Sequence, residues 1–512
     1  MVRLGTVGDQ RDVGRFRPFH KRLAGFFRSL SWRDLEPVEE GLAVAAVSTK
    51  PQYLLAPLLV LMSAGMSWAF FSAEQGTDRW GLFFGTVSIV LMAWSFVLGT
   101  RWQFMEWAFG GFDRLHVWHR WVGALALVFL LLHSNAENSV QNGEVPFGRS
   151  VEEFGVSLGE LAQTVLIVFI VVSILRILPY RIWRFSHLGM VIPFIFSAFH
   201  VLTAERPFGD SLLAEGYLWA WSVIGLIAFV YRVLVVDSGF FDTPATIADV
   251  AVDPHSASVS LVAREGSSWS HVAPGQFVYL RLGGVFREAH PFSVTAFTDD
   301  PRVISLHIAQ VGDWTTQVSS RFVPGAKVRV SRPHGHLRLG GEKKTVWIAG
   351  GSGITPFLQR PSFFEALDAP PTLVYFFRGK EKAIGLDYLT RLSDQGLIRL
   401  SRIDTTRERV DRAALLSEEI TAGSHVAVCG PRALVSSVLR IARKNRASSA
   451  SFELYDYRSP FGPNLNPLLR ILLEGVLPRR IAAKLRFLVD NDTPKETQNS
   501  PSPMVSTAHI AQ

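Results

Sequence analysis

The chain has 512 residues, 48% of them hydrophobic and 19% charged, with a mean hydropathy of +0.21. That apolar share excludes a disordered chain and points to a membrane-embedded part joined to soluble parts, at ~150 residues per domain. One cysteine, Cys429, excludes an intramolecular disulfide, a thiolate-held iron–sulfur cluster and a multi-cysteine zinc site. The first element is a basic segment, residues 1–50. A predicted six-helix all-α transmembrane bundle over residues 51–237 follows it, with spans at about Tyr53–Phe71, Trp80–Gly99, Val117–Ser134, Gly159–Leu178, Phe185–Val201 and Tyr217–Val236. Each is near the ~20 residues a helix needs to cross the hydrocarbon layer.

The net charge of +8 is distributed by topology. The leading segment carries Arg15, Arg17, Lys21, Arg22, Arg28, Arg33 and Lys50, and two later connections carry Arg101 with Arg114 and Arg181 with Arg184. The other connections are acidic, with Glu74 and Asp78, then Glu137 to Glu153, then Glu205 to Glu215. Positive residues stay inside, so the N-terminus and everything after Val236 are expected in the cytoplasm of a multi-pass plasma-membrane protein. Aromatic and basic residues interleave little outside the spans, which argues against a nucleic-acid partner.

Five histidines fall at or within spans: His116, His119, His133, His187 and His200. Ionisable side chains in hydrocarbon are costly and mark function. His119 and His133 share the third span, and His187 and His200 share the fifth. Their separations correspond to roughly 20 Å of helix, two levels of one bilayer. The spans run the same way, so His119 matches His187 on the cytoplasmic side and His133 matches His200 on the outer side. Two bis-imidazole haem b sites satisfy that pattern. For one such histidine, a hydrogen bond to a neighbouring helix is the ordinary explanation, but it does not explain two depth-matched pairs. The spacing in the fifth span does not return a straight helix to one face, and Pro193 is the expected kink. Zinc is a poor rival, with two ligands per level and no Cys or carboxylate nearby. His116 reads as an interfacial residue.

From Ser238 the text becomes β-rich, with alternating runs at Ala257–Val262, Gln276–Leu282, Val303–Ala309 and Lys327–Ser331. An antiparallel β-barrel over 238–340 is predicted, then an α/β parallel-sheet domain over 341–458 with strands Thr345–Ala349, Thr372–Phe377 and His425–Val428. Residues 459–512 hold a basic amphipathic piece and a polar tail.

The barrel carries Pro274-Gly275-Gln276-Phe277, then His290-Pro291-Phe292-Ser293, then His307-Ile308-Ala309-Gln310-Val311-Gly312-Asp313-Trp314-Thr315-Thr316. The next strand leads into Gly350-Gly351-Ser352-Gly353-Ile354-Thr355-Pro356-Phe357, whose glycines let backbone approach a pyrophosphate. These motifs and the histidine spacings resemble the NADPH oxidase and ferric reductase family, in a prokaryotic-type form. The resemblance implies FAD held by His290, Pro291, Phe292, Ser293, His307, Gly312, Trp314 and Thr315. It implies a nicotinamide nucleotide on Gly350, Gly351, Ser352, Gly353, Thr355, Pro356, Gly430 and Pro431, with Cys429 near the nicotinamide and Tyr457, or else Tyr455, stacked on the flavin. Relatives place a basic residue where this chain has Ala309, so Arg287 or Arg281 is expected to meet the flavin phosphate instead. Arg378, Lys380 and Arg407 favour NADPH over NADH. The expected oxidoreductase passes electrons from NADPH through FAD and two haems to a small-molecule acceptor, dioxygen first and a ferric chelate second. A partner protein or quinone is a further option, and the sequence names no protein partner. A haem carrier with an inactive flavin domain fits poorly with intact nucleotide motifs.

Overall fold

In the computed structural model, described residues run from 52 to 454, except 72–77, 137–146, 175–179, 205–211, 254, 270–271, 286, 296–299, 311–313, 316–317, 341–343 and 408–410. They fall into two compact units: Thr164–Met190 belongs to one, and the remaining described residues to the other. The basic N-terminal segment, the C-terminal tail, Tyr455, Tyr457 and Gly312 lie outside the described residues.

The apolar half is helical: α1 Gln52–Phe71, α2 Asp78–Gly99, α3 Gln103–Phe109, α4 Phe112–Asn135, α5 Arg149–Ile174, α6 Tyr180–Leu188, α7 Val191–Thr203 and α8 Leu212–Tyr231, continued by a π-helical turn at Arg232–Asp237. Among the described residues, five segments are long and apolar enough to cross a membrane: Trp80–Gly99, Arg114–Asn135, Arg149–Ile170, Ile182–Thr203 and Leu212–Asp237. The first of the six expected spans falls in α1, whose apolar stretch, Pro57–Ala69, is shorter. The fourth begins at Arg149, well before Gly159, and takes Glu152 and Glu153 into its first turns. α2 is the most buried of these five segments. Polar links knit its neighbours to it, as an unpaired hydroxyl or indole N–H in hydrocarbon would be costly. Ser88 donates to Ala126 O at 2.9 Å, and Trp94 Nε1 donates to Ser63 Oγ at 2.8 Å.

The chain between His187 and His200 breaks at Gly189-Met190, where α6 ends and α7 begins, and not at Pro193. Pro193 sits in the first turn of α7, where a missing N–H costs no helical hydrogen bond. Gly189 marks the end of α6, and a Cβ there would meet the Phe169 ring at 2.9 Å.

Six strands follow: β1 Thr243–Asp253, β2 Ser256–Ala263, β3 Phe277–Leu282, β4 Ala289–Thr295, β5 Val303–Ala309 and β6 Lys327–Val330, the last preceded by the short α9, Val318–Arg321. All pair antiparallel, in the order β1-β2-β5-β4-β3-β6, and β6 returns to β1. In β2 the alternation is direct: Ala257, Val259, Leu261 and Ala263 are buried inside, between less buried Ser258 and Ser260.

The parallel sheet has the order β11-β10-β7-β8-β9, from β7 Thr345–Gly350, β8 Thr372–Phe377, β9 Arg399–Asp404, β10 His425–Gly430 and β11 Ser449–Leu454. β7 and β10 are buried along their whole length, as strands covered on both faces must be. The connecting helices are α10 Pro361–Glu365, α11 Leu386–Asp394, α12 Arg412–Glu419 and α13 Arg432–Lys444. α13 buries Leu434, Val435, Val438, Leu439 and Ala442, one helical stripe against the sheet. Asp411 caps α12 by accepting from the N–H groups of Ala413 and Ala414.

Candidate functional site

α4 carries His119 and His133. The Nδ1 of each meets a backbone carbonyl of α2: Ser95 O at 3.0 Å for His119 and Gly81 O at 2.8 Å for His133. A carbonyl only accepts, so Nδ1 holds the proton and Nε2 carries the lone pair, the tautomer a metal-ligating imidazole needs. His200, on α7, lies with its ring centre 6.1 Å from that of His133, the planes tilted by 54°. Glycines make room for both rings. A Cβ at Gly85 would lie 2.9 Å from His133 Nδ1, and one at Gly159 would lie 2.9 Å from His200 Cγ. Two imidazoles on opposite sides of one metal, at about 2 Å per bond, have ring centres roughly 6 Å apart. The ring spacing of the outer pair is the one a bis-imidazole haem would require. Among the described residues no group of three or more His, Cys, Asp or Glu could hold a metal ion, which leaves a zinc shell without candidates.

His187 belongs to the other unit. There its ring stacks on Trp183, with centres 5.1 Å apart and planes 10° apart, and Nδ1 lies 3.3 Å from Ser173 Oγ. His116 turns back on its own helix, with Nδ1 2.8 Å from Phe112 O. Arg101 and Arg114 face aromatic rings: the Arg101 guanidinium lies 4.0 Å from the centre of the Tyr279 ring and that of Arg114 lies 5.8 Å from Phe452.

In the barrel, β4 brings His290 and Phe292 under Trp314. Ring centres are 4.0 and 5.8 Å apart, with planes within 27°. His290 and Phe292 thus cover one face of the Trp314 ring, and the outer side of this aromatic stack would suit an isoalloxazine. Ser293 is buried beside it, and Thr315 is half-buried. His307, on β5, has Nδ1 2.9 Å from Ser258 Oγ, while its Nε2 is buried with no hydrogen-bond partner among the described residues. Burial holds its pKa down at about 4, against a weak upward pull from Asp253.

Arg281 cannot meet a flavin phosphate. Its side chain is 3% exposed and fully engaged: Nε donates to Asp242 Oδ2 at 2.8 Å, and its other nitrogens donate to the carbonyls of Val236, Asp237 and Arg287. Arg329 reaches the carbonyls of Gly239, Phe240 and Asp242. Two arginines thus pin the peptide between the last span and the barrel.

In the parallel sheet the chain steps from β7 to β8 and β9 on one side, then crosses back to β10 and β11 on the other side of β7, so the strand order reverses between β7 and β10. That is the switch point where open α/β sheets bind ligands, beyond the carboxyl ends of the strands. Gly350–Pro356 and Cys429–Pro431 meet there. The glycines have a second role that their spacing does not reveal. A Cβ on Gly353 would lie 2.3 Å from Cys429 O, and one on Gly350 would lie 2.7 Å from Leu434 Cδ2. Gly351, at φ +57°, has open space and is exposed, and Ser352 is half-buried, so these two form the accessible rim. The segment continues as a 3₁₀ turn, Gly351–Phe357, in which Thr355 and Pro356 are buried. Cys429 is fully buried. Arg378 is exposed at the end of β8, while Arg407 stands 3.7 Å from Asp404.

Two buried carboxylates carry no signal in the sequence. Glu453 of β11 pairs in register with Cys429, and a Cβ on Gly335 would lie 2.4 Å from its Oε1. Glu106 of α3 is 2% exposed and joins the membrane half to the barrel. Its Oε1 accepts from the Gly335 N–H at 2.7 Å and lies 3.3 Å from His336 Nδ1, while its Oε2 lies 3.2 Å from His334 Nδ1. Burial by itself would raise its pKa, but hydrogen bonds from both histidines and the amide outweigh this and hold it at about 2.

Residues 84–198 match the family described as ferric reductase like transmembrane component, and residues 244–355 match the one described as FAD-binding domain. A probable cell surface ferric reductase of Aspergillus oryzae is 23% identical over 389 residues, covering 68% of this chain and 50% of its own. A superoxide-generating NADPH oxidase heavy chain of Dictyostelium discoideum is 24% identical over 185 residues, covering 32% of this chain and 26% of its own. Among solved structures, phthalate dioxygenase reductase aligns with a TM-score of 0.36 and 21% identity, over 42% of this chain and 68% of that one. The chain spans half the length or less of these two curated relatives.

Proposed function

We propose that this chain, an oxidoreductase joining a ferric-reductase-like transmembrane component to an FAD-binding domain, moves electrons from cytoplasmic NADPH across the membrane to an extracytoplasmic acceptor. The observation that carries the reading is the His133–His200 pair, two imidazoles from different apolar spans with ring centres 6.1 Å apart. These two would hold the outer haem b, and His119 with His187 the inner one. Bound FAD would supply the exchange between the two-electron hydride chemistry of a nicotinamide and the one-electron chemistry that haem iron would supply.

The chain's own residues bind and orient. Backbone at Gly351 and Ser352 would receive the dinucleotide pyrophosphate at the switch point, with Arg378 beside the 2′-phosphate of NADPH. Cys429 is fully buried at the end of β10, so it would support the nicotinamide site from behind, with no route for its thiol to a substrate. The stack of His290 and Phe292 with Trp314 would lie against one face of the flavin, and Tyr457 would cover the other. No protein acid or base is required. The plasma membrane is the setting, with both soluble parts in the cytoplasm, as the basic connections support.

The acceptor we propose is dioxygen, giving superoxide by one-electron reduction. A ferric chelate is the second reading, supported by the wider match to the cell surface ferric reductase. Purified protein supplied with haem, FAD and NADPH tests both. Cytochrome c reduction abolished by superoxide dismutase is expected; strict dependence on ferric chelate would transfer the assignment. A dithionite-reduced minus oxidised spectrum without b-type bands would overturn the haem reading.

A further inference from the structure

α3 lies in the short connection between two membrane spans, and its two sides are unlike. Trp102, just before it, and Phe104 and Trp107 within it are exposed, while Met105, Glu106, Ala108 and Phe109 are buried. Glu106 is the charged member of the buried set. A carboxylate taken out of water is costly unless its oxygens are fully hydrogen-bonded. Here the donors come from one loop of the flavin barrel, His334-Gly335-His336. That loop is strapped to β3, because Phe277 and His334 exchange both backbone hydrogen bonds at 2.8 Å. β3 pairs in turn with β4, the strand of His290–Ser293.

On the other side, α3 leads through Gly110 and Gly111 into Phe112, the first residue of the helix that carries His119. The Phe112 ring packs on His334 at 4.9 Å and on Phe277 at 6.1 Å between centres. A continuous set of packed and hydrogen-bonded groups therefore runs from the candidate flavin face to the helix of the candidate inner haem ligand, with Glu106 at its polar centre.

We propose that Glu106 is a positioning residue for electron transfer out of the flavin: its clasp on His334, Gly335 and His336 fixes the flavin barrel on the membrane component. This rests on the electron path proposed above. Electron transfer falls steeply with donor–acceptor distance, whereas hydride transfer from nicotinamide to flavin takes place within the soluble half. Loss of the clasp therefore separates the two steps.

The test uses the purified full chain loaded with haem and FAD, mixed anaerobically with NADPH, with flavin and haem reduction followed separately. Glu106→Ala is expected to leave flavin reduction unchanged and to slow haem reduction by about tenfold or more, because removing the carboxylate releases all three donors of the clasp and lets the donor–acceptor distance grow. Glu106→Gln, which keeps an acceptor for the Gly335 N–H, should fall between. Hydrogen exchange gives an independent reading: amides of 334–336 should be protected in the wild type and exchange faster in Glu106→Ala. Haem reduction at the wild-type rate, or both steps falling together with exchange unchanged, overturns the proposal. Should Glu106→Ala fail to assemble, His336→Ala, at a partly exposed position, must show the same step-specific slowing to a smaller degree, and wild-type behaviour there overturns it equally. If wild-type haem is not reduced by NADPH at all, the electron path is wrong. The clasp is then judged by exchange, and unprotected amides at 334–336 in the wild type reject it.

Discussion

His133 and His200 come from different spans, yet each is pressed against a glycine of a neighbouring helix so that their rings stand 6.1 Å apart. Such clearance would be unnecessary for two histidines that merely cap helices. With either imidazole replaced by Ala, one of two haems should be lost, while NADPH-dependent reduction of a dye that takes electrons directly from flavin persists. Pyridine haemochrome quantitation decides: two haems per chain in His133→Ala or His200→Ala would refute the assignment.

The glycines give a finer test. Gly85→Ala and Gly159→Ala each place a methyl group 2.9 Å from an imidazole atom, so the ring must move or tilt. Overpacking of this kind costs about 1–3 kcal/mol. Gly216, within α8, has open space where a Cβ would stand, with nothing within 4 Å, and Gly216→Ala should be neutral or gain about 0.5–1 kcal/mol from helix propensity. Near-infrared or electron paramagnetic resonance signatures of the outer haem should change in the first two variants and not in the third. Three identical spectra would show that the glycines do not set the ring geometry.

Some of this is legible in the residues. The histidines stand out because hydrocarbon tolerates ionisable groups poorly, and β2 reads directly from its alternation of Ala, Val and Leu with Ser. What does not show is set by contacts distant in the chain. Glu106 looks like a stray acid in a basic connection, because the loop that buries it begins 228 residues on, at His334. Arg281 looks available for a phosphate until its side chain is seen clamped on Asp242 and three carbonyls. Gly350 and Gly353 read as room for a ligand, yet both are also required by the loop that starts at Cys429. Pro193 is the natural suspect for the helix break, and only the position of the first turn of α7 shows that the break precedes it.

His307 sets a pH dependence. Its ordinary pKa of 6.5 falls to about 4 in the fold, chiefly by burial. Between these values the unfolded chain binds more protons than the folded one, so stability rises with pH. The contribution is full above about pH 6.5, declines as pH falls towards 4 and is then constant, a total of about 3 kcal/mol. Glu106 does not interfere: its pKa is lowered to about 2, so its contribution is complete above about pH 4.5 and is lost only as pH falls through about 2. Thermal unfolding of the full chain at pH 7 and pH 5 should show a wild-type loss of stability that His307→Gln reduces. Equal slopes in the two proteins would mean that His307 is not the group responsible.

Arg378 tests the choice of nucleotide. It stands exposed at the carboxyl end of β8, next to the strand that ends at the switch point. Arg407, the other candidate, faces the Asp404 carboxylate, whose own pKa is lowered first by the Gly379 N–H and then by Thr406. A guanidinium offers a 2′-phosphate a planar pair of donors, whereas the ribose hydroxyl of NADH gains little from it. Arg378→Ala should therefore raise KM for NADPH by about tenfold, the equivalent of one charge-assisted hydrogen bond, with little change for NADH. Arg407→Ala should have the smaller effect. Steady-state kinetics with both nucleotides and a flavin-level dye acceptor measure this without involving the membrane half, and equal KM increases for NADPH and NADH would show that Arg378 does not read the phosphate.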